Sequence, residues 1–250
     1  MVKSIKIDEK FLIFFKEKKN FRIIADFVKG FDDLGDLGPS VTVFGSARVQ
    51  NNEHYYKEAQ KLSSMIGARG FNVITGGGPG IMEAANKGAK ECANVESVRL
   101  NVDLPFEQVT NKYTTKELNF DYFFSRKVML VKYSMAYVIF PGGYGTLDEI
   151  FEALTLIQTR KVSGVKVCVI GVEYFQPLIN FIENSLHKNG MIDDDDLSLL
   201  RLTDDLELVA DELEESLLNQ IEMLKESGLE DTKYYKSLVE FENKKHIKKV

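Results

Sequence analysis

Residues 140–150 read FPGGYGTLDEI, and this stretch decides the fold. An apolar run, AYVIF (136–140), ends at a proline and two glycines, and a threonine and two acids follow. A short apolar run bounded by glycine and proline is typical of a buried strand, and acids just after the glycines are typical of a helix start. The stretch therefore predicts a strand that turns directly into a helix.

The same alternation of strand and helix extends to both sides of this turn. Strands are predicted at 41–44, 72–75, 96–102, 119–124, 136–140 and 164–171, with a short one within 193–203. Helices are predicted at 55–70, 80–91, 125–134, from the turn to 158, 175–188 and 204–225. Strands that are apolar on both faces and alternate with helices predict an α/β fold, a parallel sheet covered on both faces. Every strand-to-helix turn then lies at the carboxyl edge, where ligands bind.

Helical segments are also predicted outside the alternating region. Residues 8–34 are predicted to form one or two amphipathic helices, and residues 231–248 a charged one. The chain is accordingly divided into an N-terminal helical extension (1–36), a central α/β domain (37–225) and a charged C-terminal helix (226–250).

Composition limits the location and the partners that we expect. The chain has 250 residues and a formal net charge of −6, so no general attraction to nucleic acid is expected. Cys92 and Cys168 form no disulfide framework, and three scattered histidines form no metal-ligand cluster. The apolar stretch FLIFF (11–15) is too short for a signal or a membrane span. We therefore expect a cytoplasmic protein with no nucleic-acid partner, no membrane partner and no metal.

A second glycine turn, TGGGPGIMEAAN (75–86), matches the first. Both contain the pattern G-G-x-G, at 77–80 and at 142–145. Glycines let backbone N–H groups approach a ligand, and a helix N-terminus adds a partial positive charge, so each turn is suited to an anion. Neither turn has the spacing of a dinucleotide fingerprint or a P-loop. The turns therefore predict a site for a mononucleotide or a sugar phosphate, formed by Gly45, Ser46, Gly77, Gly78, Gly142, Gly143, Tyr144, Gly145 and Thr146.

Three charged residues near the turns have two interpretations each. Glu149 either completes a Thr146-x-x-Glu149 capping box or does catalytic work. Glu83 either favours the helix dipole at an N3-like position or lies in the pocket. Arg126, which precedes Lys127 near a helix start, either binds a carboxylate or phosphate or forms a surface ion pair.

Four motifs then resemble a known family. PGGYGTLDE (141–149), GGGPGIMEAAN (76–86), FGSARV (44–49) and FFSRKVML (123–130) are similar to the LOG family over about residues 37–210. The resemblance implies a Rossmann-like doubly wound sheet and a homodimer or larger assembly. It implies a phosphoribohydrolase that cleaves the base from a cytokinin riboside 5′-monophosphate or AMP, without a cofactor. Many members were once labelled "possible lysine decarboxylase", but no residue pattern here marks a pyridoxal-phosphate lysine.

The resemblance also assigns roles to individual residues. It implies that Arg126 and Glu149 are the catalytic pair, that the loop 142–146 holds the 5′-phosphate, and that Glu83 and Lys127 lie at the substrate. The sequence departs from the family at Arg99, where a small residue is expected and where base preference could change. A carrier that binds a nucleotide or a phosphorylated cofactor without chemistry, as related molybdenum-cofactor carriers do, is the alternative.

Overall fold

A parallel sheet forms the centre of the computed structural model, which describes residues 20–103 and 111–248. Its strands are β1 (Ser40–Phe44), β2 (Asn72–Thr75), β3 (Ser97–Val102), β4 (Lys116–Phe120), β5 (Ala136–Ile139), β6 (Lys166–Val169) and β7 (Leu200–Leu202). All neighbours pair in parallel, in the order β4-β3-β2-β1-β5-β6-β7. The predicted α/β class and doubly wound sheet are confirmed.

Helices connect the strands and cover both faces of the sheet. They are α1 (Asn20–Leu34), α2 (His54–Ala68), α3 (Ile81–Lys90), α4 (Phe123–Lys132), α5 (Tyr144–Gln158), α6 (Val172–Phe181), α7 (Leu206–Glu226) and α8 (Lys233–Lys248). One hydrophobic core packs α2, α3, α7 and α8 against one face, and a second packs α1, α4, α5 and α6 against the other. The inner strands are therefore buried on both sides, which is why their sequences are apolar throughout.

The strand order reverses direction between β1 and β5. From β1 the chain winds outward through β2, β3 and β4, and from β5 it winds the other way through β6 and β7. The loops that follow β1 and β5 are therefore adjacent, and in open α/β sheets ligands bind at such a switch point. The FPGGYGT turn follows β5 and lies at this point.

Two predicted elements differ from the structure. The strand predicted at 119–124 is wrong beyond Phe120, because β4 spans Lys116–Phe120 and α4 already begins at Phe123. The chain turns at residues 121–122, where a carboxylate from α1 accepts their backbone N–H groups. The helix predicted at 175–188 begins earlier, at Val172, and its last part is a π-helix (Ile182–His187).

Both terminal segments contact the central sheet domain. In α1, Gly30 packs so closely on α4 that an added Cβ would be 2.6 Å from the sulfur of Met129. In α8, Leu238 is fully buried and the ring of Phe241 lies 4.9 Å from that of Phe71. The division at residues 36 and 225 stays a prediction, and the helix expected over residues 8–19 lies outside the described residues.

Candidate active site

Three loops are hydrogen-bonded to one another at the switch point. The backbone N–H of Ser46, after β1, donates to the carbonyl of Pro141, after β5, at 3.0 Å. The N–H of Ile81, at the start of α3, donates to the carbonyl of Ser46 at 3.0 Å. The hydroxyl of Tyr174, on α6, donates to the carbonyl of Gly142 at 2.9 Å. The sheet thus brings Gly45, Ser46 and the two glycine turns together, as the sequence predicted.

Two glycines in these loops are required by close packing. Gly80 has a φ of +69°, and a Cβ there would lie 2.3 Å from the carbonyl oxygen of Ser46. A Cβ on Gly142 would lie 2.1 Å from Oγ1 of Thr146. By contrast, a Cβ on Gly143 or on Gly145 would meet nothing within 4 Å. The tip of this turn therefore faces open space, as an anion-binding turn must.

The second glycine turn is held by a buried polar network that sequence reasoning missed. Asn111 donates to the carbonyls of Gly77 and Gly78 at 3.3 Å each and to Oδ1 of Asn86 at 3.0 Å. The hydroxyl of Thr75 donates to the same Oδ1 at 2.6 Å and accepts from the N–H of Gly77 at 3.0 Å. Asn86 gave a usable signal, because an amide among the apolar positions of α3 must find a buried partner.

Arg126 and Glu149 face each other between α4 and α5. Nη2 of Arg126 lies 3.6 Å from Oε1 of Glu149, and their side chains are 13% and 15% exposed. Burial raises the pKa of Glu149 to about 7, although the charges of Arg126 and Lys127 act in the opposite direction. Burial also lowers the pKa of Arg126, against the attraction of Glu149 and Asp148. The pair is therefore a desolvated one, with a carboxyl group that titrates near neutral pH.

The structure contradicts the capping-box interpretation of Glu149. Helix α5 begins at Tyr144 with Gly143 as its N-cap, so Thr146 is the third helical residue rather than the cap. The N-cap residue, Gly143, has no side chain with which to make a capping hydrogen bond. Glu149 consequently lies in the second turn, too far along the helix to reach back to the cap.

The surface ion-pair interpretation of Arg126 is also wrong, because its side chain is only 13% exposed and its partner Glu149 only 15%. The guanidinium lies 5.4 Å from the ring centroid of Phe123, and a Cβ on Gly76 would be 3.0 Å from its Nη1. Its Nε is buried and has no hydrogen-bond acceptor among the described residues. Arg126 thus touches the second glycine turn while it faces Glu149, and it keeps one N–H group free for a further acceptor.

Glu83 is the third residue of α3, as predicted, and its carboxylate has a partner across the site. Oε1 of Glu83 accepts from the hydroxyl of Tyr56, on α2, at 2.8 Å. Burial raises the pKa of Tyr56 above its ordinary value, with a further contribution from this hydrogen bond. The Tyr56 hydroxyl therefore stays protonated and fixes the direction of the Glu83 carboxylate.

Lys127 and Arg99 are each occupied by carboxylates. Nζ of Lys127 lies 2.9 Å from Oδ2 of Asp148 and 2.9 Å from Oε2 of Glu152, which joins α4 to α5. Nη2 of Arg99 lies 2.6 Å from Oε2 of Glu117, and the stem of Arg99 packs against Gly77. The substrate contact predicted for Lys127 stays a prediction, and Arg99 supports the second glycine turn from β3.

Within residues 20–103 and 111–248 no group of three or more His, Cys, Asp or Glu side chains could hold a metal ion. No helix in those ranges combines the length and the apolar character needed to cross a bilayer.

Sequence comparison finds relatives whose names describe enzymes that cleave nucleoside 5′-monophosphates. A profile of the family described as "Possible lysine decarboxylase" matches residues 82–213. A pyrimidine/purine nucleotide 5′-monophosphate nucleosidase of Escherichia coli is 25% identical over 175 residues, which cover 63% of this chain and 37% of the relative. A cytokinin riboside 5′-monophosphate phosphoribohydrolase of Arabidopsis thaliana is 27% identical over 155 residues, covering 59% of this chain and 70% of the relative. The chain thus spans little more than a third of the nucleosidase.

A solved structure has the same fold. The molybdenum cofactor carrier protein of Chlamydomonas reinhardtii superposes with a TM-score of 0.53 and 20% sequence identity. The match covers 72% of this chain and 99% of the carrier. At this level of identity the likeness concerns the fold alone.

Proposed function

The chain belongs to the LOG family, and from that membership we propose that it hydrolyses the N-glycosidic bond of a nucleoside 5′-monophosphate. The products would be a free base and ribose 5-phosphate. The substrates proposed are a cytokinin riboside 5′-monophosphate, which the name of one relative gives, and AMP, a purine nucleotide 5′-monophosphate of the class that the name of the other gives.

The buried pair of Arg126 and Glu149 is the observation that carries the proposal. A carboxyl group whose pKa is raised to about 7 is poised to change protonation at neutral pH, which suits a general base. It lies one turn beyond the Gly142–Thr146 loop, on the same helix α5. A phosphate bound at the loop would therefore place the attached ribose near Glu149.

The chemistry follows from charge development at C1′. As the bond from C1′ to the base nitrogen breaks, its electron pair leaves with the base, and C1′ acquires oxocarbenium character. The nearest analogy is glycoside hydrolysis, in which carboxylates flank the reacting bond. The ionised Glu149 carboxylate would stabilise this cation and accept the proton of the water that adds to C1′. An equivalent proton would then pass, through solvent, from Glu149 to the departing base nitrogen, so that the neutral base and the ionised carboxylate are both restored. Glu83, directed by Tyr56, would bind a ribose hydroxyl.

Arg126 has two tasks in this scheme. Its Nη2, 3.6 Å from the Glu149 carboxylate, attracts that group electrostatically, and its unpaired Nε can donate to a phosphate or ribose oxygen of the substrate. The open space at Gly143 and Gly145 leaves room for the phosphate against backbone N–H groups at the start of α5. Holding the phosphate there restricts the position of C1′, which lowers the entropic part of the barrier.

The decisive experiment compares AMP with adenosine as substrates of the same preparation. Release of adenine and ribose 5-phosphate from AMP is expected, with a far lower kcat/KM for adenosine because the turn is suited to an anion. Comparable kcat/KM values for the two would contradict the phosphate site. Tight binding of intact AMP without release of adenine would instead favour a non-catalytic carrier.

Assembly into a homodimer or larger oligomer is proposed on the exposed apolar surface. On α1 the side chains of Phe21 and Ile24 are 82% and 56% exposed, and on α4 that of Phe123 is 54% exposed. Apolar side chains exposed in such a group are typical of a protein contact surface. The oligomer size is read by light scattering, and a monomer at micromolar concentration would contradict the proposal.

A further inference from the structure

A buried aspartate of α1 lies at the start of α4, the helix that carries Arg126. Asp26 is 7% exposed, although charged side chains are seldom buried without partners. Its Oδ2 accepts from the N–H of Asp121 at 3.0 Å, from the N–H of Tyr122 at 3.1 Å and from the hydroxyl of Ser125 at 2.7 Å. One carboxylate thus satisfies two backbone donors and one side-chain donor at the same helix end.

Helix α4 depends on this contact because its own sequence supplies no cap. Its N-cap residue is Tyr122, whose side chain makes no capping hydrogen bond. Its first turn carries no acidic residue. A carboxylate at a helix N-terminus is stabilised by the helix dipole, and in return it satisfies N–H groups that the helix cannot. By accepting the N–H of the N-cap residue Tyr122, Asp26 does from a distant segment what the N3 carboxylate of a capping box usually does.

The contact is one residue away from the catalytic arginine. Ser125, which donates to Asp26, immediately precedes Arg126, and the N–H of Arg126 donates to the carbonyl of Tyr122 at 3.3 Å. Nη2 of Arg126 is 3.6 Å from Oε1 of Glu149, beyond an ordinary hydrogen bond, so a small rotation of this turn changes how the two groups meet.

We propose that Asp26 is a positioning residue for Arg126, so that α1 is part of the catalytic apparatus rather than only a flanking helix. The proposal rests on the function proposed above. Residue 26 lies outside residues 82–213, the part of the chain that matches the family profile. A second hydrogen bond fixes α1 nearby, because Nζ of Lys29 donates to the carbonyl of Asn119, near the end of β4, at 2.9 Å.

The test uses Asp26→Asn, with Asp33→Asn as the matched control. Asp33 is an exposed aspartate on the same helix, so its substitution removes the same charge without touching α4. We expect Asp26→Asn to lower kcat for AMP about tenfold or more and to raise KM by a smaller factor, because Arg126 and its Nε move while the Gly142–Thr146 turn is untouched. Asp33→Asn should keep both constants. Ser125→Ala, which removes one donor, should give a smaller loss in the same direction.

A pH profile separates positioning from a general loss of stability. Glu149 is faced by Arg126 and Lys127 of α4 and by Asp148 and Glu152 of its own helix. Displacing Arg126 removes a positive charge that lowers the pKa of Glu149, so this pKa should rise in Asp26→Asn. The acidic limb of the profile of kcat against pH should therefore move to higher pH. An unchanged limb together with kcat within twofold of the parent would overturn the proposal.

A readout that needs no turnover distinguishes this inference from the proposed function. The NMR signal of the Arg126 Nε–H group, assigned with Arg126→Lys, reports the surroundings of the guanidinium. It should shift in Asp26→Asn and in Ser125→Ala but stay in place in Asp33→Asn. An unshifted signal would overturn the positioning role even if no monophosphate were cleaved. A shifted signal in a protein without hydrolase activity would support the positioning role and refute the proposed reaction.

Discussion

Replacing Glu149 by glutamine should remove the reaction and leave the fold in place. Glutamine keeps the shape of the side chain but cannot ionise, so it can neither stabilise the developing cation nor accept a proton. Turnover of AMP should therefore fall by roughly 10²–10⁴. Because the capping box does not form, no helix-cap role remains to explain such a loss.

The same substitution should change how stability depends on pH. Burial raises the pKa of Glu149 from 4.5 to about 7, so between these values the native state binds more protons than the unfolded chain. The free energy of unfolding of the parent therefore falls as pH rises through this window. A pKa difference of one unit corresponds to about 1.4 kcal/mol. The free energy of unfolding of the parent should therefore fall by about 3 kcal/mol over this window, and the fall is complete above pH 7.

The assay is chemical unfolding of parent and Glu149→Gln at pH 4.5 and pH 8. The variant lacks the titrating group, so its stability relative to the parent should increase by about 3 kcal/mol between the two pH values. Glu230→Gln, at an exposed glutamate, should show no such change. Activity within a few-fold of the parent would refute the catalytic role. A stability difference that is the same at both pH values would refute the argument from burial.

Two further predictions concern the glycine turn and the pair of Arg126 and Glu149. Gly143→Val should raise KM for AMP without lowering Tm, since the space around Gly143 is open. Gly142→Ala should instead lower Tm, since its Cβ would lie 2.1 Å from Oγ1 of Thr146. An unchanged KM in Gly143→Val would mean that the turn does not contact the substrate. Arg126→Ala should lower kcat about as much as Glu149→Gln, and the double variant should be little worse than either; multiplicative losses would show that the two residues act independently.

Local sequence determined most of the strands and the place of the candidate site. Short β-branched runs such as VTVF (41–44) and NVIT (72–75) are buried on both faces in the sheet, and their apolar pattern requires that environment. Each glycine turn directly follows a strand, so parallel topology alone brings both turns to one edge. Fold class and the neighbourhood of the two turns could therefore be predicted without coordinates.

Contacts between distant segments decided where α5 begins and where β4 ends, which local sequence could not predict. Whether Glu149 caps α5 depended on where that helix begins, and the packing of Gly142 against Thr146 and Ser46 sets the start at Tyr144. The end of β4 was mispredicted because Asp26, more than 90 residues away along the chain, accepts the N–H groups of residues 121 and 122. Such hydrogen bonds leave no trace in local periodicity.

The protonation behaviour of the site also required the tertiary structure. The sequence shows that residues 149 and 126 are of charged types. It does not show that both side chains are largely buried between α4 and α5. The raised pKa of Glu149 comes from desolvation, which depends on all the atoms that exclude water around the carboxylate. The sequence by itself determined which residues meet at the carboxyl edge, and only packing decided their charge states and orientations.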